Sequence, residues 1–146
     1  MEDVVVVEKI LHAPVDRVWS AITNKNEMKA WYFDLEDFKP EQGFTFKFNG
    51  GPEEGPVYVH LCEVTEVIPE QKLTYSWRYE GLPGISYVTW ALEAKGENTL
   101  LTLTHTGLGS IAVSGAAFAI ENFKGGWDHF INKALPSYVG KNLHAR

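Results

Sequence analysis

The sequence predicts an α+β fold: a curved antiparallel sheet, two short helices after the first strand, and a long C-terminal helix across the concave face. Three observations predict it. Within Phe118 to Val139, the residues Trp127, Phe130, Ile131, Ala134, Leu135 and Tyr138 recur at intervals of three and four, the mark of a helix with one wide apolar face. Before it, apolar and polar residues alternate in runs separated by Gly, Pro and Asn, as in half-buried strands joined by turns. The chain opens on a β-branched run followed by two helical patterns. One amphipathic helix and many strands must share a core, which puts the helix across the sheet.

Taken in order, residues 3–12 (DVVVVEKILH) read as a strand. Pro14 suits a first helical position, and Val15, Val18, Trp19 and Ile22 give that helix its apolar face, ending near Thr23. Asn24 and Glu27 have the spacing of a capping box and start a second short helix carrying Met28 and Trp31. About six strands follow. Phe44, Phe46 and Phe48 alternate with polar residues; Val57 to Ile68 is a long strand closed by Pro69; Leu73, Tyr75, Trp77 and Tyr79 form a third run. Val88, Trp90 and Leu92, then Leu101, Leu103 and His105, flank the hairpin turn Gly96-Glu97-Asn98. Consecutive hairpins imply antiparallel pairing. Residues 107–117 (GLGSIAVSGAA) read as a small-residue, mobile loop over a cavity mouth. In the last helix, Gly125-Gly126 suggests close approach of backbone to sheet with a bend, and Pro136 should disturb the final turns by removing a donor and crowding the preceding turn.

At 146 residues a single domain over residues 1–146 is expected, large enough for a real core. The formal charge of −6 and the lack of a Lys/Arg block argue against a nucleic-acid footprint and against docking on an anionic membrane. No apolar run approaches the ~20 residues of a membrane span, and the N-terminus lacks a signal-peptide pattern. The one cysteine, Cys62, cannot form an internal disulfide, which fits a reducing cytoplasm. No metal-ligand spacing occurs, and no cofactor is expected. Gly107, Gly109 and Gly115 lack the context of a phosphate loop.

The segments APVDRVWSAITNKNEMKAWY, EVTEVIPEQKLTYSW, YVTWALEAKGENTLLTLTHTGL and GGWDHFINKALPSYV resemble the bacterial single-domain branch of the activator-of-heat-shock-protein-90-ATPase-like family. That family lies in the START-like, birch-pollen-allergen-like (SRPBCC) superfamily. The resemblance covers nearly the whole chain. It implies the helix-grip fold, in which a curved sheet grips the C-terminal helix with a cavity between them. Trp77 matches the aromatic closing the L-x-Y-S-W strand, Leu103 and His105 the L-T-L-T-H-x-G strand that ends in Gly107, and Gly126-Trp127 the G-W of the helix. The superfamily hosts lipid carriers, hormone receptors, polyketide cyclases and co-chaperone domains, so the resemblance implies a family rather than one activity.

The candidate ligand-binding residues are Trp31, Phe46, Glu63, Tyr75, Trp77, Tyr79, Trp90, His105, Phe118, Trp127 and Phe130. The aromatic members either wall a cavity, with Tyr and Trp polar atoms orienting a guest, or simply fill the core. His105 shares a face with Leu101 and Leu103, where it either meets a ligand or serves as a bonded core histidine. Glu63 shares parity with Val59 and Leu61; it either points inward, where it would need a partner such as Arg78, or sits with Arg78 on the solvent face or the sheet rim. Cys62, beside Tyr58, His60 and Val64, reads as a small buried hydrophobe. The expected function is burial of a small hydrophobic molecule between sheet and helix. The alternatives are a cyclase- or hydrolase-like enzyme using the same cavity with His105 or Glu63, and a stress-response protein with a chaperone as partner. A monomer and a homodimer are both compatible with the sequence.

Overall fold

The computed structural model describes residues 4–33, 35, 37–50, 58–113, 115 and 120–144. Strand β1 (Val5–Leu11) leads into helices α1 (Val15–Thr23) and α2 (Lys25–Trp31). Five strands follow among the described residues: β2 (Thr45–Gly50), β3 (Tyr58–Ile68), β4 (Lys72–Tyr79), β5 (Ser86–Lys95) and β6 (Asn98–Thr106). A short helix α3 (Gly109–Ala112) precedes a long helical rod: α4 (Ile120–His129), a π-helical turn (Phe130–Ala134) and α5 (Leu135–His144). The strands form one antiparallel sheet in the order β1-β6-β5-β4-β3-β2. The first strand thus closes against the last, with Val5 opposite His105.

Period-two patterning places Phe46, Phe48, His60, Cys62, Leu73, Tyr75, Trp77, Tyr79, Val88, Trp90, Leu101, Leu103 and His105 on the buried face. Trp127, Ile131, Leu135 and Val139, spaced four apart, bury the rod's apolar stripe against it. The first helices obey their caps. Pro14 is the residue before α1 rather than its first turn, and the Asn24 side chain accepts from the Asn26 and Glu27 amides. The reciprocal half of the capping box is missing, because the Glu27 carboxylate is used elsewhere. It accepts from Arg17 and Ser20 of α1 and from the Tyr138 hydroxyl at 3.0 Å, while the Arg17 guanidinium lies 4.9 Å from the Tyr138 ring centroid. This cluster ties α1 and α2 to α5.

The rod corrects one expectation and explains another. Gly125 and Gly126 are exposed, and a β-carbon on either would meet nothing within 4 Å; no close approach to the sheet requires them. The disturbance lies further on, in the π-helical turn just before Pro136. Proline has no N–H and its ring crowds the carbonyl four residues back. The helix widens there by one residue, with the Leu135 N–H donating to the Phe130 carbonyl.

The segment after β6 is also firmer than its composition suggests. Leu108 and Ile111 are fully buried. Ser110 Oγ accepts from the Ile85 N–H and donates to the Ile85 carbonyl. A β-carbon at Gly84 (φ +98) would lie 2.4 Å from the Ser110 carbonyl oxygen, so only glycine allows this contact. Residues 107–113 are pinned to the β4–β5 loop instead of forming a lid; the remainder of 107–117, apart from Gly115, lies outside the described residues.

Candidate functional site

The concave face and the rod bring nine of the eleven candidate residues into one aromatic cluster. Trp127 stands at its centre. Tyr32, Trp77, Trp90, His105 and Phe130 have ring centroids 5.7–6.1 Å from it. Trp31 meets Trp90 edge-on at 5.9 Å and Phe130 at 6.1 Å. Phe46 and Tyr75 meet at 5.1 Å, and Tyr79 reaches the group through Trp77, whose indole N–H donates to its hydroxyl at 3.0 Å. Around Trp127 the described space is therefore occupied by rings. Offset and edge-to-face contacts of this kind add stability beyond area burial.

One candidate falls elsewhere. Glu63 is exposed on the outer face, contrary to the inward placement. Cross-strand packing decides this: Phe46, Phe48, Trp77 and Tyr79 claim the inner face, and on β3 they select His60 and Cys62 as neighbours, which turns Glu63 out. Arg78 is exposed beside it. With Thr45, Lys47, Leu61 and Ser76 they line an outer groove of about 500 Å³, where the Glu63 N–H donates to Ser76 Oγ at 3.1 Å. Phe118 lies outside the described residues.

Sequence reasoning missed Tyr32, Phe33, His60, Ser86 and Phe123, and left Phe48 out of the set. The three successive aromatics at 31–33 were the available signal, since α2 ends there and its last turn feeds the cluster. Phe48 was legible from its parity with Phe46. Phe33 stacks on Phe48 at 4.4 Å, and His60 stacks on Phe48 at 4.5 Å. Ser86 is spaced two residues before Val88, which the pattern had not extended far enough to include.

Two hydrogen-bond networks run through the cluster. In one, Trp127 Nε1–H donates to His105 Nδ1 at 3.0 Å. That fixes the proton of the neutral ring on Nε2, which donates to Ser86 Oγ at 2.8 Å. The Ser86 hydroxyl in turn donates to the Trp77 carbonyl at 2.9 Å. In the other, Trp90 Nε1–H donates to the Tyr75 hydroxyl at 3.1 Å, which lies 2.9 Å from the Tyr32 hydroxyl.

Burial sets the proton chemistry. It pushes His105 down to about 3 and His60 down to about 4, so both are neutral rings across the physiological range. It raises the Tyr32 and Tyr75 hydroxyls and the Cys62 thiol, and lifts Tyr79 to about 12. His105 has both ring nitrogens engaged, and Glu63 faces away. The two bases that an enzyme reading relied on are thus not poised for proton transfer to a guest in the cluster. Among the described residues no three His, Cys, Asp or Glu side chains group as metal ligands, and no helix is long and apolar enough to cross a membrane.

A six-stranded sheet wrapped on a C-terminal helix, with an aromatic interior between them, defines a helix-grip protein of the START-like class. The family model described as "Activator of Hsp90 ATPase homolog 1-like protein" matches residues 12–140, and the chain belongs to that family. Among solved structures it is similar to DynU16, a protein of the dynemicin biosynthetic locus, with 25% identity, a TM-score of 0.79, and coverage of 97% of this chain and 49% of that one. It therefore spans about half the length of DynU16. Protein MLL2253 from Mesorhizobium loti is 26% identical with a TM-score of 0.75, covering 94% of this chain and 97% of that one. CalU16 from Micromonospora echinospora is 26% identical with a TM-score of 0.71, covering 97% and 79%. No curated protein matches the sequence at a significant level.

Proposed function

We propose that the protein binds a small hydrophobic molecule, ring-containing or acyl, between the sheet and the C-terminal helix. The observation that carries this reading is the graded burial of the aromatic cluster. Tyr75, Trp77, Trp90 and Trp127 are buried at its base, while Tyr32, Phe33, Phe123 and Phe130 are only half-buried above them. Half-buried rings can turn outward at modest cost, and each that does so exposes apolar wall to a guest. Burying the guest's own apolar surface there contributes roughly 25 cal/mol per Å². The π-helical turn begins at Phe130; such turns concentrate at functional sites, and this one places a less regular stretch of backbone against the half-buried rings. The likeness to a protein of a natural-product biosynthetic locus also supports a small-molecule role.

The test is thermal shift and tryptophan fluorescence against fatty acids, flavonoids and polyketide-like aromatics. Ligand at a hundred times its Kd stabilises by about 2.7 kcal/mol, expected as a rise of roughly 5–10 °C for a domain of this size. No stabilisation by any compound overturns the reading. Family membership favours a second reading, docking on a chaperone, with pull-down by the purified chaperone as its test.

A further inference from the structure

The Tyr32 side chain looks like a bound ligand. Its ring lies near-parallel to Trp31 (5.1 Å, 30°) and to Trp127 (6.1 Å, 23°). It meets Trp90 and Phe130 edge-on at 5.9 and 4.9 Å. Its hydroxyl reaches the bottom of the cluster and contacts the Tyr75 hydroxyl. That is its one side-chain hydrogen bond among the described residues, and the residue is half-buried where α2 ends.

A proton count shows that this arrangement is incomplete. Trp90 Nε1–H, the Tyr75 hydroxyl and the Tyr32 hydroxyl supply three donor protons, and because a single bond joins the two hydroxyls, only two of the three protons find an acceptor. Whichever tyrosine donates to the other, one hydroxyl proton has no acceptor among the described residues. A buried donor without an acceptor is costly. When Tyr32 turns out, Tyr75 keeps its bond from Trp90 and presents its own O–H to the space the ring has left. The group that completes the network there is an acceptor oxygen on a flat ring. A hydrocarbon chain brings no acceptor. An ionised carboxylate among these rings would carry the cost of burying a charge.

We infer that the site takes a planar aromatic compound bearing an acceptor oxygen with no proton of its own, an aryl ketone, and that Tyr32 holds its place in the free protein. This rests on the binding reading above and narrows it to one ligand class. The probes are 2-naphthol, 2-acetylnaphthalene and 2-methylnaphthalene, titrated by tryptophan fluorescence. 2-Acetylnaphthalene binds the wild type about tenfold tighter than the hydrocarbon, and 2-naphthol, which brings a further proton, falls between them. Tyr75→Phe brings that ratio close to one. Tyr32→Ala binds 2-acetylnaphthalene tighter than the wild type, because the internal competitor is gone; Tyr32→Phe, which keeps the ring and loses its tether, moves the same way and serves if the alanine variant does not fold. A wall residue would give the opposite sign. Equal affinity for all three probes, or weaker binding by the Tyr32 variants, overturns this inference and leaves the binding reading standing. No binding by these probes or by acyl compounds overturns both.

Discussion

The two polar networks of the interior are built from the same kinds of residue and end differently. At Trp127, His105, Ser86 and the Trp77 carbonyl, every proton has an acceptor and the last acceptor is backbone. At Trp90, Tyr75 and Tyr32 the chain of bonds stops one acceptor short. The first is closed and buried completely; His105 has no exposed surface. The second ends on a half-buried side chain at the end of a helix. A closed network fixes one packing of the core. An open one leaves a place for something else, and the contrast separates what holds this fold together from what a ligand is proposed to use.

The largest effect expected is in the closed network. His105→Ala removes a buried ring and orphans both the Trp127 N–H and the Ser86 oxygen, so it should destabilise by about 3 kcal/mol or more. Urea denaturation measures this. A loss below about 1 kcal/mol would mean that the network is not closed in solution and the contrast fails.

Protonation breaks the same network without mutation. His105 titrates at about 3 and His60 at about 4 in the fold, against about 6.5 in the unfolded chain. Between those values the unfolded state binds more protons, so stability rises with pH. It is fully present above about pH 6.5 and is lost as pH falls toward 4 and then 3. Each histidine contributes a slope of up to ~1.4 kcal/mol per pH unit within its window. Urea midpoints at pH 7, 6 and 5 should fall in that order; a midpoint that rises toward pH 5 would refute the buried neutral rings.

How much of this was legible in the sequence follows from what pattern can encode. Period two on β4, β5 and β6 placed Tyr75, Trp77, Trp90, Leu103 and His105 on the inner face, and the three-and-four spacing placed Trp127 and Phe130 opposite them. Parity alone left Glu63 open between two faces, because it does not say which is the inside; cross-strand aromatics decided that. Tyr32 and Phe33 escaped because they follow a helix end, where no period holds. The proton count of the open network depends on distances between segments 43 and 15 residues apart, which no local pattern carries.

A third network, at the surface, sharpens the contrast from outside. Glu27 accepts from Arg17, Ser20 and Tyr138. Burial would raise its carboxyl, but these hydrogen bonds and the Arg17 charge outweigh that and hold it below the usual range. Its stabilisation is present above the unfolded carboxylate value and is lost as pH falls through the lowered one. The group is half-exposed, so solvent screens it. Glu27→Gln should cost about 1 kcal/mol and remove its share of the acid limb below about pH 4.5, on top of the histidine slopes that still run there. An unchanged acid limb would detach Glu27 from the α1–α2–α5 junction.

The smallest effect expected is the most telling for the open network. Tyr32→Phe keeps the stacked ring and deletes one hydroxyl. In a closed network such a deletion leaves a partner orphaned and costs more than the bond itself was worth. Here one bond joins two hydroxyls and one proton is already unaccepted, so removing one oxygen with its proton still leaves a single unaccepted proton, now on Tyr75. The number of unsatisfied groups is unchanged, and the cost reduces to one weak bond, within about 0.5–1 kcal/mol of the wild type by urea denaturation. A loss comparable to that of His105→Ala would show that Tyr32 is a structural member of the core, and the distinction between the two networks would disappear.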